Sequence, residues 1–94
     1  MLGKIVSAVL LALDSSLFII RIENGRAQPL KGRVPRGFLS DLNEAVAEMH
    51  LQNGVIKARR QATHIRINFS KDIPAGLHQR LRNIWHIHEL GFRE

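Results

Sequence analysis

The sequence has no cysteine and no tyrosine, three prolines, and only five aromatic residues, four Phe and one Trp, among 94. Without cysteine there is no disulfide, no thiolate metal site and no cysteine nucleophile. The chain is therefore compatible with either redox compartment. The shortage of aromatics removes the stacking platforms on which readers of single-stranded nucleic acid depend. Long apolar runs are missing too. Residues 5–13 are uncharged and largely apolar, but Asp14-Ser15-Ser16 closes the run, well short of the roughly 20 residues a spanning helix needs. Extending the span to Ile20 would bury Asp14 in hydrocarbon at a cost of roughly 2.5–3.5 kcal/mol. No small-x-small cleavage site follows the run, so it reads as a short helix that packs on the domain or lies against a membrane.

What is present suffices for one small domain: 45% of the residues are hydrophobic, and the length allows a single core. The formal net charge is +6, and it is uneven: residues 1–52 carry +1 and residues 53–94 carry +5. A basic second half suits an anionic neighbour such as nucleic acid, acidic lipid or an acidic protein surface. The bland alternative is a well-solvated charged surface.

The chain repeats itself. Val34-Pro35-Arg36-Gly37-Phe38 and Ile73-Pro74-Ala75-Gly76-Leu77 lie 39 residues apart, and the same offset aligns Leu42 with Leu81 and Val46 with Trp85. An apolar-Pro-x-Gly-apolar start before a helical stripe, found twice, predicts two copies of one supersecondary unit. Ahead of the first helix, residues 17–23 read as a strand. Asn24-Gly25 reads as a type I′ hairpin turn, which needs positive φ at both central positions. Residues 26–30 read as a return strand that Pro29 makes an edge or ends early. Phe38, Leu42, Ala45, Val46 and Met49 form the first helix's apolar stripe, with Gln52-Asn53-Gly54 expected to cap its end. The second hairpin spans residues 55–70 and turns at Ala62-Thr63. It puts Ile65, Ile67 and Phe69 inside and Lys57, Arg59, Gln61, His64, Arg66 and Asn68 outside, with Arg59 opposite Arg66. Leu77, Leu81, Ile84 and Trp85 stripe the last helix, and Gly91 is its expected stop.

The expected fold is thus α+β: an N-terminal apolar helix over residues 1–16, then a ββαββα domain over 17–90, then a tail over 91–94. The domain is a tandem ββα-ββα pseudo-repeat, an antiparallel sheet with two helices on one face. Both faces of the first strand are apolar, so the N-terminal helix, a second copy of the chain or lipid is expected to cover the outer one.

Ile22-Glu23-Asn24-Gly25, Lys31-Gly32 with Pro35 and Phe38, Phe69-Ser70-Lys71-Asp72-Ile73-Pro74 and Gln79-Arg80-Leu81-Arg82-Asn83 together resemble a family of small bacterial proteins catalogued only as a domain of unknown function, of the 3634 type. The resemblance covers roughly residues 17–86. It implies the domain and, in most members, a hydrophobic leading segment long enough for a membrane anchor, which Asp14 and two serines interrupt here. It implies no activity, cofactor or catalytic residue.

Catalytic chemistry finds no constellation. Ser15, Ser16, Ser40 and Ser70 lack a His and carboxylate at motif spacing, and no phosphate loop is present. Asp41, Glu44 and Glu48 share a helix face that reads as solvated. His86 and His88 point about 200° apart on a helix and cannot share a metal there. The expectation is a non-enzyme without cofactor or metal: a small basic binding module for an anionic partner. The alternative is an accessory subunit docked on a membrane or a complex through residues 2–20. A homo-oligomer, and a place in the cytoplasm or peripheral to a bacterial inner membrane, agree with either. The anion-binding candidates are Lys57, Arg59, His64 and Arg66 on the outer sheet face, and Arg80 and Arg82 on the last helix, one of which is expected to pair with Asp72 or Glu89.

Overall fold

In the computed structural model, which describes residues 13–89, the elements are β1 (Phe18–Glu23), β2 (Arg26–Gly32), α1 (Arg36–Glu48), β3 (Asn53–Gln61), β4 (His64–Phe69) and α2 (Ala75–Glu89). The strands form one antiparallel sheet in the order β2-β1-β3-β4. Strand alternation sends Phe18, Ile20, Ile22, Ile56, Ala58, Ile65 and Ile67 to one face, where Phe38, Leu42 and Val46 of α1 and Leu81 and Trp85 of α2 close the core over them. Both helices therefore lie on the same face. Phe18, Phe38 and Trp85 meet at its centre with ring centroids 4.9–6.2 Å apart. These edge-to-face and tilted contacts are the arrangements that aromatic quadrupoles favour.

The expected leading helix needs correction. Among the described residues Leu13 is helical, the elements then open on strand β1, and α1 and α2 each follow a hairpin. Asp14, Ser15 and Ser16 are not helical. The Asp14 side chain accepts the backbone N–H of Ser16 at 2.7 Å, a local bond that competes with helix formation. Residues 1–12 of the expected helix, the stop at Gly91 and the tail over 91–94 lie outside the described residues. No described helix is long and apolar enough to cross a membrane.

The ββα-ββα repeat holds in coarse form, but one offset does not describe it. Both helices begin one residue after a proline, at Arg36 and Ala75, and keep the 39-residue spacing. The carbonyls of Pro35 and Pro74 accept the N–H groups of Leu39 and Leu77. In the hairpins, Ile22↔Ala27 corresponds to Arg60↔Ile65, a shift of 38. The difference arises in two places. A bulge at Leu30 adds a residue to β2, and the loop before α2 is two residues longer than the loop before α1. Because Ile19 pairs with Lys57 across the central β1–β3 seam, the pseudo-two-fold axis relating the units passes between these two residues.

The open edges are closed by side chains. On β2, Asn43 of α1 accepts the Ala27 N–H at 2.8 Å and donates to the Ala27 carbonyl at 3.1 Å. On β4, Glu89 accepts the Ile65 N–H and the Trp85 indole donates to the Ile65 carbonyl, each at 3.0 Å. Pro29 does sit on an edge strand, where its missing N–H costs no ladder bond. The helices run antiparallel, and side-chain contacts join them at both ends: a His88–Asp41 hydrogen bond at 2.7 Å and the Arg80–Glu48 ion pair.

Two turns carry left-handed residues other than glycine or asparagine. α1 ends at Glu48, earlier than Gln52-Asn53-Gly54 implied. His50 (φ 53) occupies the left-handed position, while the Leu51 N–H returns to the Val46 carbonyl at 3.1 Å. Ala62 (φ 54) opens the second hairpin turn. A side chain in this region costs roughly 1–2 kcal/mol, and glycine relieves it at some entropic expense. His50→Gly and Ala62→Gly are each expected to stabilise the domain by about 1 kcal/mol, raising the thermal midpoint by roughly 4–8 °C in a calorimetric or circular-dichroism melt.

Candidate anion-binding site

The outer sheet face is built by strand parity. Opposite the core residues, β3 presents Lys57, Arg59 and Gln61, and β4 presents His64, Arg66 and Asn68, in the pairs Lys57↔Asn68, Arg59↔Arg66 and Gln61↔His64. The turn at Ala62-Thr63 sets this register, and the buried Ile65 and Ile67 hold it. The predicted alternation and the opposition of two arginines are both observed.

The face already holds a carboxylate that sequence reading had cast only as a stop. Asp14 crosses over the outer side of the sheet. Its Oδ2 lies 2.6 Å from Lys57 Nζ and its Oδ1 4.0 Å from Arg59 Nη2. Its backbone carbonyl accepts from Lys31 Nζ of β2. Ser16, itself buried, accepts from Arg59 Nε at 3.4 Å. The Asp14 side chain is only 10% exposed, against 40% for Lys57 and 53% for Arg59. The Lys57 hydrogen bond, then the hydroxyl and backbone N–H of Ser16, hold the Asp14 carboxyl well below the usual carboxylate range, outweighing the opposing effect of burial. Lys57 is thus committed within the chain and Arg59 partly so. Asp14-Ser15-Ser16 did carry a signal, the Asx-turn pattern, but nothing local to it names partners on β2 and β3.

Arg66 is exposed and makes no ion pair or side-chain hydrogen bond among the described residues. A shallow groove of about 330 Å³ runs beside it, lined by Arg59, Arg60, Gln61, Arg66 and Asn68. His64 stands at the same end of the hairpin, also exposed. The two helix candidates are elsewhere. Arg80 pairs with Glu48, not with Asp72 or Glu89 as expected, and Arg82 lies 5.1 Å over the Phe69 ring. Phe69 also stacks with His78 at 4.4 Å. Both arginines are accounted for by helix packing, and the structure does not bring them to the sheet-face group.

A larger hollow on the outer side, of about 750 Å³, combines Leu13, Ile19, Leu30 and Val55 with Arg21 and Lys57. Ile19 at its floor is 1% exposed, whereas Leu13 and Leu30 are 78% and 42% exposed. Among the described residues no three His, Asp or Glu side chains come together as a metal site. Asp41 and Glu48 of the predicted solvated acidic face are solvent-exposed and also reach His88 and Arg80 of α2.

A folded-state pKa below the unfolded value contributes stability that is full above about pH 4 and is lost as the pH falls further. Urea unfolding at pH 7 and pH 3 is therefore expected to show a steep acid loss in the native chain. In Asp14→Asn the loss should be shallower and stability at pH 7 lower.

A family model described as protein of unknown function (DUF3634) matches residues 2–92. No curated protein and no solved structure gives a match.

Proposed function

The chain belongs to the family described as protein of unknown function (DUF3634), and from the geometry of its outer sheet face we propose that it is a non-catalytic module that docks on an anionic lipid surface. The observation that carries this reading is the bond between Asp14 and Lys57. The face already binds an oxyanion with strand-borne cations, and it has Arg66 left over.

Lipid is favoured over a nucleic-acid backbone by what surrounds the cations. Leu13 and Leu30 stand exposed on the same side as Arg21 and Lys57. Exposed leucines beside cations suit a headgroup and acyl boundary and have no role against phosphodiester alone. Among the described residues no aromatic that could stack on bases stands on the face: Phe18, Phe38 and Trp85 are buried, and Phe69 contacts His78 and Arg82.

Cosedimentation of the full chain with vesicles tests the reading. Binding is expected to phosphatidylcholine containing phosphatidylglycerol and not to phosphatidylcholine alone, and it should weaken as salt screens the surface potential. Each surface cation contributes about 1 kcal/mol near an acidic leaflet, so Arg59→Ala/Arg66→Ala should bind about 30-fold more weakly. Equal recovery with neutral and acidic vesicles, or retention by duplex DNA with none by acidic vesicles, would overturn the proposal.

A further inference from the structure

Building on that lipid-docking reading, we infer that Arg59 and Arg66 form one discrete subsite for a dianionic phosphate group, the headgroup of a phosphomonoester lipid or free phosphate. The inference starts from backbone direction. The N–H and C=O of Ile65 point away from the sheet, to Glu89 and Trp85. Those of its neighbour Arg66 therefore point at β3, where Arg59 is the register partner. Such a hydrogen-bonded pair sets its Cα atoms about 5.5 Å apart with both side chains on one face.

Two guanidinium groups rooted that closely repel each other, and the chain does not fully neutralise them. Asp14 spends Oδ2 on Lys57, and its Oδ1 stays 4.0 Å from Arg59. Arg66 has no partner among the described residues. An oxyanion in the groove between the two would turn the repulsion into a pair of charge-assisted bonds.

The groove's chemistry selects the ligand class. Two forked donors converging from opposite strands match a tetrahedral anion, whose several oxygens can meet both at once. Arg60 lines the groove as a further cation beside Arg59 and Arg66, and this excess of positive charge favours a dianionic terminal phosphomonoester over a singly charged phosphodiester. Gln61 and Asn68 line the same groove and add neutral amide donors. Asp14 borders the site without filling it, so the subsite is open while the Asp14–Lys57 bond is in place.

The test pairs two measurements on the full chain with Arg66→Lys, which keeps the charge and removes the fork. The first titrates inorganic phosphate while following arginine Nε–H signals by NMR. The second compares vesicles of equal surface charge bearing phosphatidic acid or phosphatidylglycerol. Saturable shifts are expected at Arg59 and Arg66, at least tenfold weaker in Arg66→Lys. The native chain should prefer phosphatidic acid, a preference the variant loses while its melting temperature stays unchanged. Acidic-vesicle binding with no such preference and no saturable phosphate shift sinks the subsite and leaves the docking reading standing. Saturable shifts at both arginines without binding to any acidic vesicle do the opposite, restricting the subsite to free phosphate. An Arg66→Lys chain indistinguishable from native in both measurements also overturns the subsite.

Discussion

Trp85 is the point on which the architecture depends. Its ring lies against Phe18 of the sheet and Phe38 of α1, so one side chain ties β1, α1 and α2 into a single core. Its indole N–H reaches past the core to the carbonyl of Ile65 on the edge strand. Burying a large aromatic is favourable only if its polar atom finds a partner, and the β4 edge supplies one. One turn further along, Glu89 takes the other outward-facing group of Ile65. The position of β4 is thereby fixed from the core side, and with it the register that sets Arg59 across from Arg66.

Much of this can be read from the chain. Asn24-Gly25, the alternation through Ile65 and Ile67, and the prolines before both helices each state their local structure, because a left-handed turn, a two-residue period and a fixed φ are properties of adjacent residues. What escapes is whatever depends on distant partners or on strain. A carboxylate after an apolar run reads as a stop, and only the fold brings Asp14 to Lys57, 43 residues away. His50 and Ala62 carry no sequence mark of their positive φ. Arg80 could be foreseen as paired, but Glu48 as its partner required knowing that the helices run antiparallel. The bulge at Leu30 shifted the hairpin register by one, which a single repeat offset could not accommodate.

The site is thus narrower than the charge count suggested. Six candidate positions reduce to a face on which Lys57 is occupied by Asp14 and Arg59 is shared, while Arg80 and Arg82 serve the helix layer. The count of 14 Lys and Arg overstates the cations available to a partner, since Arg21, Lys57 and Arg80 already pair with carboxylates and Arg82 lies over an aromatic ring. Of the six candidates, the two left, His64 and Arg66, stand at one end of one hairpin. The edges of the sheet are satisfied at Ala27 and Ile65 by helix side chains, which discourages strand-to-strand association and leaves the broad outer face as the surface on offer.

The dyad through the Ile19–Lys57 pair bears on stoichiometry. Carried across it, Arg59 falls on Arg21 and Arg66 on Gln28, themselves a register pair. The first hairpin thus repeats the backbone of the second without its chemistry: Arg21 is held by Glu23 at 2.6 Å, and the second guanidinium is an amide. At the axis itself the equivalent residues are an isoleucine and a lysine, and only the lysine can receive Asp14. Duplication of the scaffold has therefore not duplicated the paired arginines. The molecule is two-fold in its backbone and single in that pair, and under the proposed docking this polarity would orient it on a surface and not merely attach it there.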